Sequence, residues 1–148
     1  MQTFLPFADF HESAGCLDRM RLGKQRVETK QILIALGVDV GMHRGNLLSR
    51  WRRHPAVRMW RGHEQALCVY GTVVCQEWMR RGYHDTLNMQ FVEAYQRIRS
   101  ENGVAKPAWL GDRAVHASHR SNLLRKDSEH YGQFGWSEPA DLEYVWPV

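Results

Sequence analysis

Residues 62–83, GHEQALCVYGTVVCQEWMRRGY, constrain this chain more than any other stretch. Their apolar positions Ala66, Val69, Tyr70, Val73, Val74 and Trp78 recur three and four residues apart, the spacing of one face of an α-helix. Gly82 ends the run. A helix striped in this way must bury its stripe against other elements, and the rest of the chain offers helices rather than strands. Strand-like alternation is poor throughout, whereas helical patterns return over residues 86–101 and 113–126. A first helix, capped by Asp9 or Ser13, follows a short extended segment (residues 2–8) and runs to about Leu36 before Gly37. Pro55 marks a further helix start. Gly71, inside the long helix, predicts close contact with a neighbouring helix. GVDVGMHRGN is a Gly-rich loop and the best candidate for disorder or an insertion. The tail YGQFGWSEPADLEYVWPV is aromatic and Pro-rich, so it is expected to be irregular but packed. The pattern predicts an all-α fold over residues 1–148: a compact single domain of four or five helices with an irregular aromatic C-terminal tail.

Charge narrows the function classes. The formal net charge is +4, and six Trp, five Tyr and five Phe accompany it. A basic, aromatic-rich small chain suits an anionic partner, and nucleic acid is the commonest. The three cysteines, Cys16, Cys68 and Cys75, lack CxxC spacing, which argues against a disulfide framework and a Cys-rich zinc site. Cys68 and Cys75 read as core thiols. The start MQTFLPFADF lacks the cationic region and long apolar stretch of a signal peptide. No run reaches the roughly 18 apolar residues of a membrane span. A reduced, cytoplasmic, monomeric protein without a membrane partner is expected. No GxGxxG, Walker loop, GxSxG or HExxH occurs, which removes the common nucleotide, serine-hydrolase and zinc-protease readings.

Within the first helix, RLGKQRVETKQIL sets one acid, Glu28, among Arg21, Lys24, Arg26 and Lys30. At 3.6 residues per turn, Arg21, Lys24, Glu28 and Gln31 share a face. Met20, Val27 and Ile34 border it on one side, Ile32 and Leu36 on the other, so the polar stripe is expected to be partly enclosed. The plainer reading is an i,i+4 pair of Lys24 with Glu28, worth about 0.2–0.5 kcal/mol and in the less favourable order. The sharper one is a proton-exchanging carboxylate among phosphate-binding cations, which DNA-processing chemistry requires.

Two more clusters carry charge. RWRRHPAVRMWRGH (50–63) holds five Arg, two His and two Trp. Its arginines, Arg58 and Arg61 among them, and His63 read as phosphate contacts, while Trp51 and Trp60 read as core anchors. HASHRSNLLRK (116–126) puts His116 and Arg120 on one helical face, with Arg125 and Lys126 beyond. His116 and His119 have a spacing that could share a metal, but no third ligand accompanies them. No metal and no cofactor is expected, and His116 is assigned to phosphate or to a neighbouring helix.

In this order the features resemble the pyrimidine-dimer DNA glycosylases of the phage endonuclease V type. LDRMRLGKQRVETKQIL resembles that family's first helix, which carries a catalytic glutamate, and Glu28 falls at it when Ile32 and Leu33 match the apolar pair that follows. GHEQALCVYGTVVCQEWMRRGY resembles the second helix. HASHRSNLLRK followed by HYGQFGW resembles the third, with Arg125 and Lys126 for phosphates and Tyr131 in an aromatic segment near the damaged bases. The stretches QTFLPFADF, LGKQRVE, HPAVRMWRGHEQAL and SNLLRKDSEHYG are similar to a divergent actinobacterial and phage branch. The loop 37–50 and the tail after Trp136 have no assigned counterpart.

The resemblance implies excision of a damaged or modified pyrimidine from double-stranded DNA by an N-glycosylase, with or without AP-lyase activity. In the family the terminal α-amine attacks C1′ of the damaged nucleotide. An α-amine titrates at about 7.7–8.0 against about 10.4 for lysine, so it supplies a neutral nucleophile near pH 7. Family members lose the initiator Met and expose a small residue. Here residue 2 is Gln, whose length disfavours that removal. The nucleophile is therefore the Met1 amine, Lys24 on the Glu28 face, or a water. The alternative function is a non-catalytic nucleic-acid-binding domain with the same basic helical surface.

Overall fold

Two aspartates divide the first basic helix. In the computed structural model, which describes residues 1–148, Asp9 accepts from Glu12 N at 2.9 Å and starts α1 (Phe10–Cys16). Leu17 and Asp18 then turn extended, and Asp18 caps α2 (Arg19–Ala35) by accepting from Arg21 N. The expected continuous helix is thus two, because an aspartate that satisfies orphan N–H groups opens a new helix where it stands. Ser13, the other candidate cap, lies inside α1 and exchanges hydrogen bonds with Phe7. Gly37 follows α2 at φ 92°, the left-handed stop expected after a helix.

The Gly-rich loop after α2 is anchored by its first residues, while residues 41–44 are exposed. Val38 and Val40 are buried, and Val40 bridges to His43. A Cβ on Gly45 would lie 2.1 Å from the Gly37 carbonyl carbon, so only glycine permits that approach. A 3-10 turn (Arg50–Arg53) leads to the one-turn α3 (Pro55–Arg58), with Pro55 at its first position. The long helix is α4 (Glu64–Arg80). It packs on α5 (Asn88–Ile98) through Gly71, where a Cβ would meet the Phe91 ring at 2.8 Å. Asp112 caps α6 (Arg113–Lys126), and Asp127 caps the short α7 (Ser128–Tyr131), which runs into a second 3-10 turn (Gly132–Phe134).

The fold is all-helical, with seven α-helices instead of four or five. Beyond five expected helices, the one starting at Pro55 included, the additions are the split of the first helix and the single turn α7. One cluster of 29 buried apolar residues joins the elements. Trp60, Cys68 and Cys75 belong to it, as expected, and burial pushes the Cys68 thiol up to about 12. Trp51 does not: it is 39% exposed, on the surface of the 3-10 turn. No helix is long and apolar enough to cross a membrane. The irregular tail lies along α6. Ser118 Oγ accepts from Val145 N at 3.1 Å, Ser121 Oγ from Leu142 N at 3.0 Å, and Asn122 Nδ2 donates to Leu142 O at 3.0 Å.

Candidate active site and nucleic-acid interface

The extended N-terminal segment has no strand partner, although Gln2 through Pro6 are buried. Buried backbone groups must be satisfied somewhere, and here side chains of three helices do it. Gln25 of α2 donates to Gln2 O at 2.9 Å and accepts from Phe4 N at 2.8 Å. The Tyr70 hydroxyl of α4 lies 3.0 Å from Phe4 O and 2.6 Å from Gln25 Oε1, two acceptors that share its single proton. On α6, His119 Nδ1 accepts from Leu5 N at 2.9 Å, His116 Nδ1 lies 2.7 Å from Leu5 O, and Arg120 donates to Pro6 O at 2.6 Å. Burial, then the neighbouring His116, holds His119 down at about 3, so its imidazole is neutral and can accept. One helix, α6, therefore grips both the N-terminal segment and the C-terminal tail.

This clamping delivers residue 1 to Glu28. Gln2 N donates to Glu28 Oε2 at 3.2 Å, and Gln25 Nε2 lies 3.4 Å from the same oxygen. Glu28 makes no ion pair with Lys24, so the helical pair does not form. A cavity of about 250 Å³ opens over the carboxylate, lined among others by Met1, Arg21, Lys24, Lys126 and Tyr144. Arg21 is held by Asp18 at 3.2 Å, whereas Lys24 and Lys126 are exposed and make no ion pair. Enclosure arises differently from the expectation. Met20 and Val27 are 65% and 48% exposed, so one border of the stripe is open. The walls come from the N-terminal segment and from Tyr144 of the tail. Burial raises the Tyr144 phenol against the pull of Arg125 and Arg21, which places both cations near it. His54 lies close by: burial and then the terminal ammonium hold its imidazole below the usual range, opposed by Glu28.

Of the thirteen residues singled out from sequence, the structure gathers Met1, Arg21, Lys24, Glu28 and Lys126 around one cavity, with Arg125 beside it. Arg58 and Arg61 line a separate groove of about 390 Å³ with Arg52 and Arg53. His63 lies in another depression, against Gln65 and Val38. Four residues expected to contact DNA are instead engaged within the fold. Arg26 pairs with Asp85 at 2.6 Å and covers the Trp78 ring at 5.0 Å. His116 is buried, bound between Leu5 O and Gly111 N. Arg120 spans Glu138 and Pro6 O. Tyr131 is buried, and its hydroxyl bonds Asp18 at the start of α2. The sequence reading missed Gln25, whose helical spacing from Glu28 was visible, and Tyr144, which carries no local signal.

A family model described as pyrimidine dimer DNA glycosylase matches residues 1–91 of the 148. No curated protein and no solved structure gives a match. The matched stretch contains Met1, Lys24, Glu28 and all of α4, while Lys126 and Tyr144 lie beyond it.

Proposed function

The chain belongs to the pyrimidine dimer DNA glycosylase family, and from that premise we propose that it excises a damaged or modified pyrimidine from double-stranded DNA at the Glu28 cavity, with the α-amine of Met1 as nucleophile. The observation that carries the reading is the 3.2 Å contact of Gln2 N with Glu28 Oε2, which leaves the preceding amine at the mouth of a cavity flanked by exposed lysines. The target nucleotide is extruded to reach it, at a cost of about a few kcal/mol. The amine lone pair attacks C1′ as the bond to the base breaks, and the base leaves with the bonding pair and takes a proton from water. Glu28 takes a proton from the resulting ammonium and passes it to O4′ as the C1′–O4′ bond breaks and the sugar opens to an imine. In the lyase branch a C2′ proton is then removed and the 3′ phosphate leaves by β-elimination. Lys24, Arg21, Arg125 and Lys126 hold the flanking phosphates.

The test is borohydride reduction during incubation with duplexes carrying single pyrimidine lesions. A covalent adduct on the N-terminal peptide, read by mass spectrometry, is expected. Acetylating the Met1 amine, or adding residues ahead of it, abolishes the adduct because an amide nitrogen cannot form an imine. An adduct that survives acetylation and disappears in Lys24→Ala moves the nucleophile to Lys24, and base release without adduct assigns it to water. Binding without base release from any lesion refutes the glycosylase reading and leaves a DNA-binding domain.

A further inference from the structure

Segment 40–63 carries six arginines and no Asp or Glu. With 20 cations and 16 acids in the chain, everything outside the segment is net negative by two. The excess positive charge of the protein is therefore local. The same segment presents the most exposed apolar side chains: Met42 at 98% and Leu48 at 87%.

The turn bearing Leu48 is pinned. Asn46 N donates to Ile34 O at 2.8 Å, Gly45 N to Asp39 Oδ1 at 2.8 Å, and Leu48 N to Asn46 Oδ1 at 2.9 Å. Beneath it, Leu47 packs on Gly37. A bulky apolar tip on a fixed backbone loses little entropy on docking. Arg50, Arg52 and Arg53 follow directly, and none makes an ion pair. A relay of ring contacts connects the turn to the Glu28 cavity. Trp51 contacts His54 at 6.0 Å between ring centroids, His54 contacts Trp146 at 6.0 Å, and Trp146 contacts Tyr144 at 5.3 Å, which lines the cavity. Cations for phosphates around an apolar tip are the parts of a duplex wedge.

We propose that the turn 44–50 is such a wedge: Leu48 enters the base stack beside the target nucleotide while Arg50, Arg52 and Arg53 grip the phosphates flanking it. The proposal rests on the glycosylase reading of the cavity, and extends it to how the duplex is opened. An unstacked neighbour makes extrusion less costly, so the wedge acts on duplex DNA and is superfluous on a single strand.

The experiment uses the full chain and Leu48→Ala, a change at a side chain that supports no core. Duplexes carry a pyrimidine lesion, or a stable abasic analogue, next to 2-aminopurine. Wild-type binding raises 2-aminopurine fluorescence, and Leu48→Ala removes most of that rise. Base release from the lesion duplex slows about tenfold, because no side chain replaces the lost stacking, while release from the same lesion in a single strand is unchanged. Equal slowing on both substrates, or on neither, overturns the wedge. If the wild type releases no base at all, the fluorescence response on the abasic duplex still decides the wedge separately from the chemistry. Leu48-dependent sedimentation with phosphatidylserine vesicles and no fluorescence response on DNA assigns the turn to a membrane surface and overturns the proposal.

Discussion

Gln25→Leu isolates the side chain on which the site's geometry turns. Gln25 is 1% exposed, and leucine nearly matches its volume, so the change removes hydrogen bonds without opening a large cavity. Gln2 O loses its donor and Phe4 N its acceptor, while the Tyr70 hydroxyl keeps Phe4 O at 3.0 Å. Two buried backbone groups are orphaned. At about 1–3 kcal/mol each, the loss is roughly 2–6 kcal/mol, a large share of the ~5–15 kcal/mol typical of a domain. For a chain of this length about 2–4 °C accompanies each kcal/mol, so Tm falls by roughly 5–20 °C. Urea titration followed by circular dichroism measures the change, with an unaltered slope as the sign that the denatured state is the same. Because Gln25 also donates to Glu28, trapped adduct falls in the variant even at temperatures where it is fully folded. A loss below about 1 kcal/mol, with normal trapping, refutes the claim that Gln25 holds the N-terminal segment.

Glu28→Gln keeps the shape and the contact with Gln2 N but removes the titratable proton. Base release is expected to fall about 10²–10⁴-fold with DNA binding nearly intact, and near-normal turnover removes Glu28 from the chemistry. If about four to six cations contact phosphates, log K falls against log[salt] with a slope of roughly −4 to −5. Lys126→Ala or Arg125→Ala reduces that slope by about one, whereas Arg120→Ala leaves it unchanged and lowers stability, since its partners are Glu138 and Pro6 O. His119 is held at about 3 in the folded chain against an ordinary 6.5. The unfolded chain therefore binds the proton first, and stability present above pH 6.5 is lost as pH falls toward 3. One such group contributes about 1.4 kcal/mol per pH unit at most. The urea midpoint of wild type should drop between pH 6.5 and 5, and His119→Asn should flatten that drop.

Local pattern determined the helices. The stripe from Ala66 to Trp78 needs no tertiary information to read as α4, because its periodicity is a property of the backbone's own geometry. The stop at Gly37, the start at Pro55 and the Gly71 contact were legible for the same reason. Two short-range signals were outweighed: Asp18 capped a new helix within an otherwise continuous pattern, and Gly45 against Gly37 folded what read as a loose loop. The acid and its neighbouring cations, Glu28 with Arg21 and Lys24, were visible because i, i+3 and i+4 residues share a face.

What the sequence alone could not assign is the destination of each polar side chain across long separations. His116 and Arg120 read as contacts for phosphate or, for the histidine, a neighbouring helix, yet together with His119 they serve the carbonyl and amide groups of residues more than a hundred positions earlier. Arg26 and Tyr131 were equally basic or aromatic on paper and are equally spent, on Asp85 and Asp18. Conversely, Tyr144 reaches the cavity only because Ser118, Ser121 and Asn122 lay the tail along α6. Residue type fixes how many hydrogen bonds a side chain can make. Which partners it meets depends on the tertiary packing of segments whose own backbones are unpaired, and that packing decided which cations and which acid face the cavity.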